Sequence, residues 1–258
     1  MDFYTALSQY YDEIFAVSQD DMAFINSLIP PRGRVLDVGC GTGNKTVLLG
    51  NAADITGIDL DAGMIDRARV QHARPHIQYR QMDMRRLTEH FAPVSAAAAV
   101  NAVPAAASAP APALGERPLD TVLCLGNTLV HLPEDELAPF LRSVRALLRE
   151  GGSVVIQILN YDRILDRGVD TLPVIKTAHA TFTRQYRWVD GQMHFVTAIT
   201  LRDGGARMEN DIILYPLRVA ALERLLLASG FRSVRWYGSF SGGPLTGDSF
   251  VAMAHALA

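Results

Sequence analysis

Val35-Leu36-Asp37-Val38-Gly39-Cys40-Gly41-Thr42-Gly43-Asn44 is the stretch on which the fold turns, an apolar run that breaks into a glycine-rich turn where a helix should open. Glycine has no Cβ, so a ligand can approach its main chain closely, and the helix beyond offers unpaired N–H groups. A glycine-rich loop alone is weak evidence, and its surroundings decide. Residues 34–38 read as a short apolar strand, and residues 44–50 as the opening of a helix.

Outward from this point, strand and helix patterns alternate. Residues 54–59 read as a second strand, and Asp61 as the N-cap of a helix containing Met64, Ile65 and Ala68. Residues 77–82 and 119–125 read as the third and fourth strands. A helix over residues 134–149 repeats Leu137, Phe140, Leu141, Val144 and Leu148 at helical spacing, with Gly151-Gly152 as its expected end. Residues 153–159, nearly all apolar, form a fifth strand. Such alternation marks a parallel sheet covered on both faces. Three β-prone runs follow, at residues 181–188, 194–202 and 208–215, joined by hairpin turns at Asp190-Gly191 and Asp203-Gly204-Gly205. A helix over residues 217–229 stops at Gly230, and strands at residues 233–237 and 249–254 close the chain.

Composition narrows the function classes. The chain has 258 residues, 49% of them hydrophobic, enough for one large α/β domain over residues 1–258. A net charge of −3 and a pI near 6.2 provide no general positive field, which argues against a nucleic-acid substrate. The first 15 residues lack a basic segment followed by an apolar core, so a cytoplasmic rather than secreted protein is expected. Residues 91–114 carry no charged side chain, but Pro93, Pro104, Pro110 and Pro112 interrupt them. An Ala/Pro-rich surface insertion at residues 91–118 is expected there, not a membrane span. Cys40 and Cys124 are too sparse for a disulfide framework and read as buried thiols. The seven histidines are scattered without metal-ligand spacing, so no metal is expected.

Around the glycine loop, the second strand ends at Asp59, where a carboxylate can accept from both hydroxyls of a ribose; a turn or cap role is the other reading. Gln81-Met82-Asp83-Met84 places an acid and an apolar flank where an adenine ring would lie, unless Asp83 is a solvated surface acid. A nicotinamide dinucleotide fits less well, because Gly39, Gly41 and Gly43 give G-x-G-x-G, with Asn44 where G-x-G-x-x-G needs its third glycine.

Leu36-Asp37-Val38-Gly39-Cys40-Gly41-Thr42-Gly43, Asp59 and Asp83 resemble the first three motifs of class I S-adenosylmethionine-dependent methyltransferases. Phe3-Tyr4 with Tyr10-Tyr11-Asp12, Leu125-Gly126-Asn127-Thr128 with His131-Leu132, and Asn160-Tyr161-Asp162 are similar, more narrowly, to the glycine/sarcosine and amino-sugar N-methyltransferases. The resemblance implies an α/β fold with a Rossmann-like, seven-stranded, mostly parallel sheet and helices on both faces. It further implies an N-terminal helical lid over residues 1–30 and a small antiparallel β flap over residues 175–216. The cofactor would be S-adenosyl-L-methionine, held by Asp37, Gly39, Cys40, Gly41, Thr42, Gly43, Asp59, Leu60, Met64, Asp83, Met84, Leu125, Gly126 and Asn127. The insertion departs from the family pattern at the edge of the adenine site.

The chemistry so implied is an in-line displacement at a sulfonium methyl. Alignment alone supplies ~7–11 kcal/mol, so no strong general base is required. An amine acceptor need only arrive neutral, whereas a hydroxyl would need a base, for which His131 is the candidate; a structural histidine is the alternative. Tyr11 would close over the methionine part or the acceptor amine, or merely pack. Tyr4, Asn160 and Tyr161 would contact the small-molecule substrate. Arg184 and Arg187 fall on opposite faces of one strand, so at most one faces an anionic substrate, and Arg184 is the candidate. An O-methyltransferase and a non-catalytic cofactor-binding subunit remain the competing functions, and either a monomer or a homodimer is compatible.

Overall fold

Leu36, Val38, Ile55, Ile58, Val122 and Ile156 have no exposed surface, so the central strands carrying them lack a solvated side. Burying each such side chain contributes about 1.5–3 kcal/mol. The computed structural model describes residues 3–91, 117–202 and 207–258, with side chains from residue 7 onward. Most of the expected insertion, the turn Asp203-Gly204-Gly205 and the Tyr4 side chain lie outside the described residues.

The seven strands of the main sheet are β1 (Gly33–Val38), β2 (Ala52–Asp59), β3 (Ile77–Gln81), β4 (Leu119–Cys124), β5 (Leu148–Leu159), β10 (Ser233–Tyr237) and β11 (Val251–Leu257). Their order is β10-β11-β5-β4-β1-β2-β3, with β11 antiparallel to both its neighbours and the remaining pairs parallel. From β1 the sheet grows one way through β2 and β3, and the other way through β4 and β5. The carboxyl ends of β1 and β4 therefore flank a topological switch point, where open α/β sheets bind ligands.

Helices cover the sheet as expected at α3 (Ala62–Gln71), where Asp61 caps the Met64 N–H at 2.8 Å, at α5 (Glu134–Leu147), and at α7 (Val219–Ala228), followed by Gly230 at φ +96°. Short helices occur at α2 (Ala23–Ser27), α4 (Leu87–His90) and α6 (Tyr161–Asp166). Two expectations fail. The helix expected over residues 44–50 is only a 3-10 turn at Thr46–Leu48, because β2 resumes at Ala52 and Thr46 donates its hydroxyl back to Asp37 at 2.6 Å. Gly151-Gly152 do not end α5. The chain passes from Leu147 straight into β5, and the two glycines sit in the strand at a register irregularity against β4.

A second, antiparallel sheet runs β6 (Ile175–Lys176), β7 (Ala180–Val189), β8 (Gln192–Leu201), β9 (Arg207–Leu214). Asp190 and Gly191, at φ +50° and +79°, are both left-handed, as the expected tight hairpin requires. Its buried Ala180, Phe182 and Ile199 form a small core with Ile14 and partly buried Leu7, Tyr10 and Phe15, so the apolar stripe of α1 (Phe3–Ile14) packs on this sheet. Among the described residues no helix is long and apolar enough to cross a membrane.

Candidate functional site

The loop after β1 is drawn around the tip of β2, because the Gly39 and Cys40 N–H groups both donate to the Ile58 carbonyl, at 2.8 and 3.0 Å. Two positions in it admit only glycine. At Gly39, φ +70°, a Cβ would overlap Thr128 Cγ2 and stand 2.5 Å from its Oγ1; at Gly43, φ +79°, it would stand 2.6 Å from Tyr79 Oη.

Asp59 has a turn role and also faces a cavity. Its Oδ2 accepts the Gly41 N–H at 2.9 Å and its Oδ1 the Asp61 N–H at 3.0 Å, so it shapes the turn. It also lines a cavity of about 570 Å³ together with Gly39, Leu60, Met82, Asp83, Met84 and His131. An ionised carboxylate has about four acceptor sites, and two N–H donors leave others available. Burial pushes the Asp59 pKa up, opposed by these backbone donors. Asp83 is not a free acid. It caps the Arg85 N–H at 2.9 Å and is clasped by the Arg85 guanidinium at 2.5–3.0 Å, which holds its pKa down. The cavity volume lies in the range of small-ligand sites, and the apolar Met84 and Leu60 with the polar Asp59 suit a nucleoside.

A smaller cavity, about 30 Å³, is lined by Tyr11, Asp37, Gly39, Cys40, Lys45, Leu125, Gly126 and Thr128. Gly39 and Thr128 line both cavities, making them two ends of one crevice at the switch point. Asp37 is 3% exposed, and burial pushes its carboxyl up to about 6. The half-buried Tyr11 phenol, beside Gly41, is pushed well above its ordinary value by desolvation and then by the negative charges of Asp59, Asp12 and Asp37. This end of the crevice is therefore acidic and suits a cationic ligand, not a pyrophosphate. Lys45, which sequence reasoning passed over, lines the same cavity, and burial lowers its ammonium pKa. Its only advance signal was a cation directly after the glycine loop.

Thr42 faces outward from the loop and donates its hydroxyl to Asp12 of α1, whose other oxygen lies 2.8 Å from His72 Nε2. Three residues expected at the ligand also carry scaffold contacts or are packed away from the two cavities. Asn127, left-handed at φ +69°, donates its amide to Tyr161 Oη at 3.1 Å and accepts the Leu159 N–H at 3.0 Å, tying the ends of β4 and β5 together. Asn160 caps the Arg163 N–H at 3.3 Å and donates to the Thr246 and Ser249 carbonyls. Met64 is buried on α3 and lines neither cavity. Tyr161 is fully buried, with its hydroxyl beside that of Tyr186 on β7. Arg184 and Arg187 do part to opposite faces. Arg187 pairs with Asp211 at 3.2 Å on the outside, while Arg184 lies over the Phe182 ring and donates to the Pro173 carbonyl at 2.8 Å. His131 ends the 3-10 turn Thr128–His131 and opens onto the larger cavity, and partial desolvation lowers its pKa.

Residues 35–114 match the methyltransferase-domain family. Glycine/sarcosine N-methyltransferase of Aphanothece halophytica is 25% identical over 219 residues, covering 80% of this chain and 69% of that protein. Among solved structures, an S-adenosylmethionine-dependent methyltransferase from Clostridium acetobutylicum superposes with a TM-score of 0.72 at 17% identity, covering 98% of each chain. An SAM-bound amino pentose methyltransferase from Micromonospora echinaspora gives 0.64 at 17% identity over 96% of this chain and 95% of its own. These structures share the fold of this chain. The domain match over residues 35–114, the curated relative and the shared fold together support a class I S-adenosylmethionine-dependent methyltransferase.

Proposed function

We propose that the chain moves a methyl group from S-adenosylmethionine to a small-molecule amine. The observation that carries this reading is the two-ended crevice, roomy and partly apolar around Asp59 and acidic around Asp37. The cofactor supplies an electrophilic sulfonium methyl. Asp59 would accept from the ribose hydroxyls, Met84 and Leu60 would flank the adenine, and Asp37 would take the methionyl ammonium. Tyr11 and α1, pinned to the loop through Asp12, would close over that end and exclude water, with the β6–β9 flap as roof. Catalysis then rests on alignment, since a neutral amine needs no base. Two relatives named above take amine-bearing compounds by their names, glycine or sarcosine in one and an amino pentose in the other.

The decisive experiment is S-adenosylhomocysteine release from a panel of amines, amino acids and phenols. Turnover with amines supports the reading; cofactor binding without turnover on any acceptor would leave a binding subunit. Asp59→Ala should weaken S-adenosylhomocysteine binding by about 1–3 kcal/mol through lost hydrogen bonds, read by calorimetry; unchanged affinity removes its role. An imidazole at the cavity wall, its pKa lowered by desolvation, favours one competing reading, O-methylation with His131 as base. General bases contribute about 10²–10⁴-fold, so His131→Ala should depress phenol methylation by that factor and leave amine methylation within a few-fold.

A further inference from the structure

Two opposite charges face the small cavity between Tyr11 and Thr128 without pairing to each other. Asp37 Oδ2 accepts the Thr46 hydroxyl, and among the described residues nothing donates to its Oδ1. The Lys45 ammonium has no hydrogen bond and no carboxylate within 4.0 Å among the described residues, although Asp37 and Asp12 both act on it at longer range. An ammonium carries three donors, and among the described residues the protein offers this one no acceptor. A group bearing both a positive and a negative charge on one carbon would satisfy both side chains. The methionyl end of the cofactor is such a zwitterion.

We infer that Lys45 binds the methionyl carboxylate and thereby makes the chain select S-adenosylmethionine and S-adenosylhomocysteine over nucleoside thioethers that lack that carboxylate. The inference rests on the cofactor reading above and adds to it a specificity-determining residue. With Asp12, Asp37 and Asp59 all acting on this end of the crevice, a lone anion gains little there. Lys45 provides the cation that an amino-acid carboxylate needs.

The test is calorimetry on the full chain with three probes, namely S-adenosylhomocysteine, its carboxyl methyl ester and 5′-methylthioadenosine. The wild type should bind S-adenosylhomocysteine about tenfold or more tighter than the ester, as expected for a hydrogen bond between charged groups. Lys45→Met should lower S-adenosylhomocysteine affinity about 10- to 100-fold, erase the difference from the ester, and leave 5′-methylthioadenosine within about twofold. Lys45→Arg should keep the preference for the free carboxylate. A wild type that binds the acid and the ester equally overturns the assignment while leaving the cofactor reading intact, and needs no variant to fold. Equal losses for all three probes in Lys45→Met would also overturn it, assigning the residue to packing. A wild type that takes none of the probes overturns both readings.

Discussion

Gly39→Ala should destabilise the fold by about 2–5 kcal/mol and abolish measurable S-adenosylhomocysteine binding. The estimate adds two independent penalties. Holding alanine at φ +70° costs about 1–2 kcal/mol, since a left-handed L-residue crowds the following carbonyl. Forcing a methyl into the space of Thr128 adds about 1–3 kcal/mol of overpacking. Thr128 cannot turn away freely, because its hydroxyl donates to the Leu125 carbonyl at 2.7 Å and fixes the turn after β4. Removing the obstacle should separate the penalties. In a Thr128→Ala background the cost of Gly39→Ala should fall to about 1–2 kcal/mol, the conformational part alone. Urea unfolding midpoints read the stability and calorimetry the binding. A Gly39→Ala protein with wild-type midpoint and affinity would mean that the β1 and β4 loops do not meet as described.

Acid should stabilise the free protein through Asp37 while weakening its hold on the cofactor. Burial raises this carboxyl from 3.8 to about 6 in the native state, so the native chain binds the proton more tightly than the unfolded chain does. The resulting stability is fully present below about pH 4 and disappears as pH rises through about 6. Above that, ionised Asp37 costs the fold about 3 kcal/mol. Asp59, also raised by burial, acts in the same sense. The cofactor's ammonium requires the ionised carboxylate. S-adenosylhomocysteine affinity should therefore drop below pH 6 by up to about tenfold per pH unit, with protons released on binding. Calorimetry at pH 5.5 in buffers of different ionisation enthalpy reads that release. Asp37→Asn should be more stable than the wild type at pH 7 and should bind S-adenosylhomocysteine weakly, with a flatter pH profile. A pH-independent affinity from 5 to 7 would exclude Asp37 from the ammonium contact. The Thr46 hydroxyl and the Lys45 charge both act on this carboxylate in the direction opposite to burial, and burial outweighs them, so the sign is unchanged.

Much of this site was legible in the residue order because its determinants are local. Gly39, Gly41 and Gly43 announce left-handed backbone, Asp61 caps the helix three residues ahead, and Asp190-Gly191 closes a hairpin between two strands whose faces alternate. Asp59 stands two residues from one of its donors and at the tip of a strand whose apolar run is unmistakable. The short turn at Thr46–Leu48 was not legible, since what prevents a helix there is a hydroxyl returning nine residues to Asp37 and the early resumption of β2.

By itself, then, the order of residues determined a parallel sheet with a glycine loop at its switch point and an acid beside it, because hydrophobic period, turn chemistry and capping act over a few neighbours. Only the tertiary structure decided which polar side chains face the crevice. Asn160 is drawn away by carbonyls at Thr246 and Ser249, Asn127 by Leu159 and Tyr161, and Lys45 is turned in beside Asp37 and Tyr11. A polar group's role is set by the partners left to it once the chain is packed, and most of those partners lie tens of residues away.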